Sequence, residues 1–543
     1  MKKFFLIISL TTLSVFIASC GGSSDGGRDQ VQEQTDPGDP VPPDIDPVPD
    51  PNDDITQVSG KITYDFVPVT ENGLDYSNTS RKPVRKVPLE VVNAANDQIV
   101  GTTTTNSNGR YLLDLPRGVT QIYLIASAQI KKWDVVIEDN TNGDAKYEVA
   151  SENFPVNGDL VIPDLNVPSG WNGSAYDPNF RAAAPFAILD TALMAFEKIS
   201  ASKPSLQMPG LKINWSVDNV EGGYFNPADK QIYLRGKENF DTDEFDAHVI
   251  VHEWGHYFEN RVGRSDSVGG LHYFNSGERL DLTLAFGEGW GNALSAMVLD
   301  PLITYRDTQG TVQGSAFGWD LESAPDNNPG WYSEVSVQEI IFDLYDSRND
   351  GGDTVSAGLG PIVEIMTTHQ KSTRAKTSIF SFINGYKTKY PSAAEGLNTL
   401  TTSKFISPVK DDFGTGESNN GGLEISLPVY SNINVNGEVV GVSLYGYGAR
   451  SNEMSNNRYY KFTAISNSTT FTYFSGDTFL IEVFDAGNII SYDIQTASDG
   501  NGLGPYVRNV STQSGKVYTV RVSTEGDFVF NPDVFVDFQL LLE

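Results

Sequence analysis

Three of the five histidines in this 543-residue chain lie in one short stretch, DAHVIVHEWGHYFENRVG, at positions 248, 252 and 256. Side chains four residues apart project from the same side of an α-helix, one turn apart. His252 and His256 can therefore direct their ring nitrogens at one metal ion. Glu253, about 100° round the helix, can reach a water on that ion. This H-E-x-x-H spacing predicts a helix that presents two metal ligands and a general base, although a packed helix that binds nothing would also accommodate it.

The flanks of the histidine stretch favour a stable helix with or without a metal. Asp241 in the segment DTDE is suited to an N-cap, with Glu244 three residues later as in a capping box. The sequence therefore predicts that the helix begins near Asp241. Apolar side chains recur at helical spacing and can be buried on the other face: Phe245, Val249, Ile250, Trp254 and Phe258.

His248 lies on the ligand face, one turn before His252. It is about 12 Å along the helix axis from His256, so it cannot share one ion with that residue. We assign His248 to the surroundings of the site or to the core.

A catalytic zinc takes three protein ligands and leaves a position for water, so the motif lacks one ligand. The extended pattern H-E-x-x-H-x-x-G-x-x-H would need histidine at Val262. Glu288, in LAFGEGWGNALSAMV, begins a run of small and apolar residues with helical character. Burying its carboxylate there costs several kcal/mol unless it meets a cation. Glu288 is therefore the predicted third ligand.

The segments HEWGHYFENRVG and GEGWGNALS resemble the paired motifs of fungalysin-type gluzincins, which are zinc metallopeptidases. This resemblance implies that His252, His256 and Glu288 bind Zn²⁺ and that Glu253 is the general base. Gluzincins usually carry an aspartate where this chain has Asn292. The Asn292 amide oxygen can still accept the ring N–H of a ligand histidine, without the charge that raises ligand basicity.

A tetrahedral oxyanion needs a second donor besides the metal. The available candidates are Tyr332, Tyr345, His272 and His369, and the sequence does not rank them. The acidic loop DLYDSRNDGGDTVSAG could hold Ca²⁺ through Asp343, Asp346, Asp350 and Asp353, but it lacks EF-hand spacing and could equally be a solvated turn.

Much of the rest of the chain has the sequence pattern of β-strands, and a segment near the N-terminus has the composition of a tether. The fold class expected is multidomain: an α+β zincin-type catalytic domain flanked by two all-β sandwich domains. The first sandwich resembles carboxypeptidase regulatory-like domains through GTTTTNSNGRYLLDLPRG, and the second resembles the pre-peptidase C-terminal domain. The predicted divisions are a signal peptide (1–20), a Pro/Asp/Gly-rich tether (21–56), a β-sandwich (57–168), the metallopeptidase domain (169–420) and a C-terminal β-sandwich (421–543).

The N-terminus predicts export. Two lysines precede an apolar run that is too short for a membrane span and ends in IASC, which resembles the lipobox of bacterial lipoproteins. Acylation of Cys20 would anchor the chain to a bacterial membrane, at the cell surface or outer membrane. A signal peptide without a lipid would give a secreted protein. Cys20 is the only cysteine, so no intramolecular disulfide can form.

The formal net charge is −32, which argues against nucleic acid as a partner. The function predicted is a surface-anchored or secreted zinc metalloendopeptidase that acts on protein or peptide substrates. Two alternatives stay open. One is a catalytically inactive surface binding or adhesion protein with a degenerate zincin domain, and the other is a zinc hydrolase that acts on other bonds.

Overall fold

The computed structural model describes residues 5–9, 55–177, 181–274, 277–348, 354–437, 439–445, 452–475, 479–495, 505–523 and 535–543. Of the predicted signal peptide and tether it describes only residues 5–9 and 55–56, and Cys20 lies outside the described residues. Contacts divide the chain into two compact units: Met1–Pro68, Asp75–Asp190 and Ile213–Asn219 form the first, and Val69–Leu74, Thr191–Lys212 and Val220–Glu543 form the second. The predicted domain boundaries stay a prediction, because compactness groups the helical region with the C-terminal strands.

The described residues before 178 form short strands. They are β1 (Phe5–Ser9), β2 (Thr56–Phe66), β3 (Val69–Thr70), β4 (Gly73–Leu74), β5 (Ser80–Pro83), β6 (Pro88–Asn93), β7 (Gln98–Thr104), β8 (Arg110–Leu115), β9 (Gln121–Ser127), β10 (Gln129–Ile130), β11 (Val135–Asp139), β12 (Ala145–Ala150), β13 (Phe154–Pro155), β14 (Leu160–Val161) and β15 (Leu165–Val167).

The first unit contains two sheets. In one, β2 is central, with β14 and β15 parallel to it and β5 and β8 antiparallel. The other contains the order β11-β12-β9-β6-β7, and β1 also pairs with β12. Strand β8 alternates exposed and buried residues, as a strand with one face in the core does. The turn before it needs Gly109, whose φ is +73° and whose added Cβ would lie 2.4 Å from the Ile62 carbonyl oxygen.

The next part of the chain combines helices with short strands. The helices are α1 (Ala183–Ser202), α2 (Ala247–Arg261), α3 (Leu282–Leu299), α4 (Glu334–Tyr345), α5 (Leu359–Thr367), α6 (His369–Ser372), α7 (Ile379–Lys389) and α8 (Ala394–Ser403). The strands are β16 (Leu211–Trp215), β17 (Tyr224–Asn226), β18 (Gln231–Leu234), β19 (Gly236–Lys237), β20 (Asp241–Thr242), β21 (Thr304–Gln309) and β22 (Ser315–Asp320). Strands β19 to β22 form one sheet in sequence order.

Helix α3 lies in the centre of the helical region, between α2 and α4. Every one of its 18 residues is buried, which explains its small and apolar sequence. A Cβ added to Gly255 of α2 would lie 3.1 Å from the Gly291 Cα of α3, so the two backbones approach closely. The Trp290 indole N–H also donates to the Gly255 carbonyl at 3.1 Å. These contacts determine which face of α3 packs against α2.

Helix α2 begins later than the sequence predicts. Asp241 belongs to β20, where it pairs with Lys237 and Gln309, and the helix starts at Ala247 with Asp246 as its N-cap. The predicted start at Asp241 is therefore wrong, because strand pairing outweighs the local capping preference there. The predicted apolar face is buried in the structure.

Helix α1 has one apolar face, whose side chains Phe186, Leu189, Leu193 and Phe196 are all buried. The Phe196 ring contacts Trp254 edge-on at 5.1 Å between centroids, which packs α1 against α2. None of the helices among the described residues is long and apolar enough to cross a membrane.

The C-terminal strands form two further sheets. One has the order β23-β25-β30-β27-β28 and the other β24-β31-β26-β29. Their buried core is rich in aromatic side chains, among them Phe462, Tyr473 and Phe538. The strands are β23 (Tyr430–Asn432), β24 (Val440–Tyr445), β25 (Asn457–Thr463), β26 (Ser468–Ser475), β27 (Phe479–Asp485), β28 (Asn488–Gln495), β29 (Tyr506–Ser511), β30 (Val517–Ser523) and β31 (Phe535–Leu542). A multidomain fold with β-sandwich content and helices, as predicted from the sequence, is therefore confirmed at this level.

Candidate metal centre

Three predicted ligand atoms lie together at the contact of α2 and α3. The Nε2 atoms of His252 and His256 are 3.0 Å apart, and they lie 3.1 and 3.3 Å from Oε2 of Glu288. A tetrahedral zinc with bonds of about 2.0–2.1 Å has ligand-to-ligand edges of about 3.3–3.4 Å. Two imidazoles and one carboxylate at these separations fit one zinc ion.

The orientation of His252 is fixed by a residue one turn after Glu288. Nδ1 of His252 lies 2.8 Å from Oδ1 of Asn292. The amide oxygen can only accept, so the ring proton lies on Nδ1 and leaves the Nε2 lone pair facing Glu288. Gly291 permits this arrangement, because a Cβ there would lie 2.9 Å from two atoms of the His252 ring.

Glu253 lies at the edge of a cleft of about 580 Å³ that also includes the three predicted ligands. Its Oε2 accepts a hydrogen bond from the Phe225 backbone N–H at 2.8 Å, which holds the carboxylate against β17. The Glu253 side chain is therefore placed beside the ligand atoms without being part of their cluster. Aromatic side chains form much of the cleft wall: Tyr224, Phe225, Phe274, Tyr305 and Trp319.

His272 is the oxyanion candidate that lines this cleft. Its Nε2 lies 3.3 Å from Oε2 of Glu288 and 3.5 Å from Oε2 of Glu334. Burial alone would lower the pKa of His272, but these two carboxylates raise it to about 10. The structure thus places an N–H donor next to the ligand cluster.

The sequence did not predict that Glu334 belongs to the site. It is the first residue of α4, after the N-cap Ser333, and its carboxylate is buried in the cleft. Burial raises the pKa of Glu334 to about 7, opposed by the nearby His272. The available signal was an acidic residue at the start of the helical segment EVSVQEII, which is also what a helix N-terminus favours without any ligand.

The other three oxyanion candidates lie away from this cleft. The Tyr332 hydroxyl donates to Oδ1 of Asn419, the Tyr345 hydroxyl to Oδ2 of Asp300, and Nε2 of His369 pairs with Oδ1 of Asp412. None of the three is among the described residues that line the cleft. Tyr345 and His369 belong to α4 and α6, and the packing of these helices, which the local sequence does not specify, determines where they lie.

His248 lies one turn before the ligands and faces α3. Its Nδ1 is 3.0 Å from Oγ of Ser295, and burial lowers the pKa of its imidazole to about 3. A neutral buried ring at this position matches the assignment to the surroundings of the site. Of the four aspartates in the predicted calcium loop, the structure describes Asp343 and Asp346, whereas Asp350 and Asp353 lie outside the described residues. That calcium loop stays a prediction.

Residues 200–403 match a known family, described as Mycolysin C-terminal domain, and this match includes every residue of the ligand cluster. It relates this region to peptidase-associated domains. A comparison with curated proteins gives no match.

Solved structures with similarity include the pre-peptidase C-terminal domain of collagenase from Bacillus anthracis, with 17% identity over 21% of this chain and 94% of that chain (TM-score 0.16). The lysozyme inhibitor PliG of Aeromonas hydrophila shows 15% identity over 21% of this chain and 96% of that one (TM-score 0.15). A 9R-lipoxygenase from Cyanothece shows 14% identity over 30% of this chain and 25% of that one (TM-score 0.16).

Proposed function

We propose that this protein is a zinc-dependent metalloendopeptidase. The observation that carries the proposal is the convergence of His252 Nε2, His256 Nε2 and Glu288 Oε2 within 3.0–3.3 Å, beside the Glu253 carboxylate. When bound there, zinc would polarise a substrate carbonyl and lower the pKa of water. The similarity of residues 200–403 to a peptidase-associated family supports a peptide as the substrate.

The side chains of the cleft have complementary roles in this reaction. Glu253 accepts a proton from the attacking water and returns it to the amine that leaves. His272 donates its N–H toward the oxygen that becomes negative in the transition state. Asn292 holds the His252 ring in the tautomer that presents Nε2.

The cleft is open and its walls carry aromatic side chains, which suits a chain segment bound in extended form. We further propose that the protein acts outside the cytoplasm, secreted or held at the bacterial cell surface through a lipid on Cys20. Its substrates would be proteins or peptides in the surroundings.

The experiment that tests this proposal compares Glu253→Gln with Glu288→Ala in the purified full-length protein. Glu253→Gln should keep stoichiometric zinc and lose about 10²–10⁴-fold in kcat on a casein-type substrate. Glu288→Ala should lose most of its zinc. Glu395→Gln, at an exposed position on α8, is the matched control and should keep both zinc and activity.

Three results would contradict parts of this proposal. Wild-type protein that binds zinc and hydrolyses no peptide would favour the alternative of an inactive surface binding protein. Hydrolysis of esters or glycans in a substrate panel, without hydrolysis of peptides, would favour another class of zinc hydrolase. Retained stoichiometric zinc in Glu288→Ala would remove Glu288 as a ligand.

A further inference from the structure

A second group of carboxylates lies close to the start of α2. Asp241 in β20, Asp243 in the following turn and Asp307 in β21 each offer a carboxylate oxygen, and these oxygens all lie within 4.8 Å of one another. Asp246, the N-cap of α2, adjoins them, because its N–H donates to the Asp243 carbonyl at 3.0 Å and its Oδ2 accepts from Thr308, the residue after Asp307. We call these four residues the acidic group.

Two residues of the acidic group, Asp243 and Asp246, are buried, Asp241 and Asp307 are half-buried, and the hydrogen bonding of the group is incomplete. Asp243 and Asp246 are 1% and 0% exposed. Asp246 accepts hydrogen bonds from the Thr308 N–H and hydroxyl on Oδ2 only, and its Oδ1 has no donor among the described residues. Oδ1 of Asp241 and Oδ1 of Asp307 likewise have no donor among them. A buried carboxylate oxygen that faces other carboxylates needs either a proton or a cation.

The charge of the group is only partly compensated. Nη1 of Arg235 lies 2.8 Å from Oδ2 of Asp241, and the Arg235 backbone N–H donates to Oδ2 of Asp243 at 2.6 Å. The single guanidinium of Arg235 acts on three of the four carboxylates, those of Asp241, Asp243 and Asp307. Burial, and then the charge of Asp241, raise the pKa of Asp307 to about 7. Burial, together with Asp307, also raises the pKa of Asp246 and of Asp243.

We propose that the acidic group is a Ca²⁺ site. All its donors are oxygens, the ligands that hard cations prefer, whereas zinc prefers nitrogen and sulfur. Calcium bonds to oxygen at 2.3–2.6 Å, so oxygens that all lie within 4.8 Å of one another can bind the same ion. Water from the adjoining cleft, which Asp307 lines, would complete the coordination.

A cation there would join three elements that the chain brings together from different positions. It would connect β20, β21 and the N-terminus of α2, the helix that carries His252 and His256. Calcium would thereby stabilise the framework of the zinc cluster without taking part in catalysis. The inference does not rest on the proposed function, because none of its ligands belongs to the zinc cluster.

The test uses Tb³⁺, which replaces Ca²⁺ and luminesces when a nearby aromatic ring is excited. Tyr305, whose pKa is raised by burial and then by the Asp307 charge, stacks on Trp319 at 4.2 Å between ring centroids and provides that ring. Full-length protein, loaded with zinc first, is titrated with Tb³⁺ and then with Ca²⁺ as competitor. We expect saturable luminescence that Ca²⁺ displaces, and at least about 10-fold weaker binding for Asp307→Asn. Asp346→Asn, in the other acidic loop, should bind like wild type.

Thermal unfolding provides a second measurement that does not depend on luminescence. Calcium should raise the Tm of wild type and of Asp346→Asn by about 3 °C or more and leave Asp307→Asn unchanged. In calcium-depleted buffer Asp307→Asn should unfold at the same temperature as wild type or higher, because the change removes a repelled charge. Equal Tb³⁺ affinity and equal calcium response in wild type and Asp307→Asn would overturn the proposal. Loss of both responses in Asp346→Asn alone would move the calcium to the other loop.

Discussion

At the scale of the residue, the ligand cluster depends on the side chain that receives the second nitrogen of His252. Asn292 accepts the Nδ1 proton at 2.8 Å and is itself buried, so the ring has one orientation and one tautomer. An amide oxygen does this without the negative charge of a carboxylate. Asn292 is therefore the residue at which we expect metal affinity to be tuned.

Replacement of Asn292 tests this role. Asn292→Ala should weaken zinc affinity by about 10–100-fold, because the His252 N–H loses its acceptor in a buried site. Asn292→Asp should bind zinc at least as tightly as wild type, since a carboxylate raises the basicity of the ring. Competition with a chromogenic chelator measures both. Equal affinity in all three proteins would show that Asn292 does not position His252.

A pH dependence of stability follows from Asp307. Its pKa is raised to about 7 in the folded protein and is about 4 in the unfolded chain, so the folded state holds the extra proton between these values. Stability of the wild type should therefore fall as pH rises from 4 to 8, whereas Asp307→Asn lacks this loss. In calcium-free buffer, the unfolding free energy of the wild type relative to that of Asp307→Asn should fall by about 2–4 kcal/mol as the pH rises over that range. Urea denaturation of both proteins measures this difference. A pH-independent difference would contradict the raised pKa.

At the scale of the element, two helices bring the ligands together because glycines let their backbones meet. Gly255 of α2 lies against Gly291 of α3, and Glu288 and Asn292 flank this contact along α3. The sequence G-E-G-W-G-N places small residues on the sides of α3 that face α2 and α4. The distance from His252 to Glu288 is thus determined by helix packing.

The helix contact predicts a specific effect of one methyl group. Gly291→Ala would put a Cβ 2.9 Å from the His252 ring, so the ring or the helix must shift. We expect a loss of about 1–3 kcal/mol in unfolding free energy and at least about 10-fold weaker zinc binding. Gly360→Ala in α5 is the matched control, because its Cβ would come no closer than 3.5 Å to a neighbour. Similar zinc affinity in the two variants would contradict the argument.

At the scale of the whole molecule, the C-terminal strands support the ligand helix within the second unit. Asp281, the N-cap of α3, accepts hydrogen bonds from the Tyr459 hydroxyl of β25 at 2.9 and 3.0 Å. The Asp281 N–H donates to the Asn452 carbonyl, and the Met454 N–H donates to the Arg279 carbonyl. The strands thereby hold the start of the helix that carries Glu288.

Removal of one hydroxyl group should weaken the contact between the C-terminal strands and α3. Tyr459→Phe removes a donor from buried Asp281 and should cost about 1–3 kcal/mol of unfolding free energy. Tyr492→Phe, at a residue that is 54% exposed, should change stability by less than about 0.5 kcal/mol. Chemical denaturation of both variants measures the difference. Equal stability would mean that the strands do not support α3 through this contact.

The sequence alone determined the features that repeat locally. The four-residue spacing of His252 and His256 predicts a shared helix face, and alternation predicts the strands of the first unit. The proximity of Glu288 to these histidines was also predictable, because a carboxylate in an apolar helix needs a partner, whereas its role as a metal ligand stays a prediction. These inferences depend on a few neighbouring residues, so they can be drawn from the local sequence.

Only the tertiary structure decided which distant residues join the site. Glu334 reaches the cluster because α4 packs on α3, and Asp307 reaches Asp243 because β21 pairs beside β20. For the same reason, helix α2 begins at Ala247 and not at the predicted Asp241. Asp241 pairs with Lys237 in a strand and does not serve as the N-cap. Such contacts join residues tens of positions apart, and their energy depends on packing that no local pattern contains.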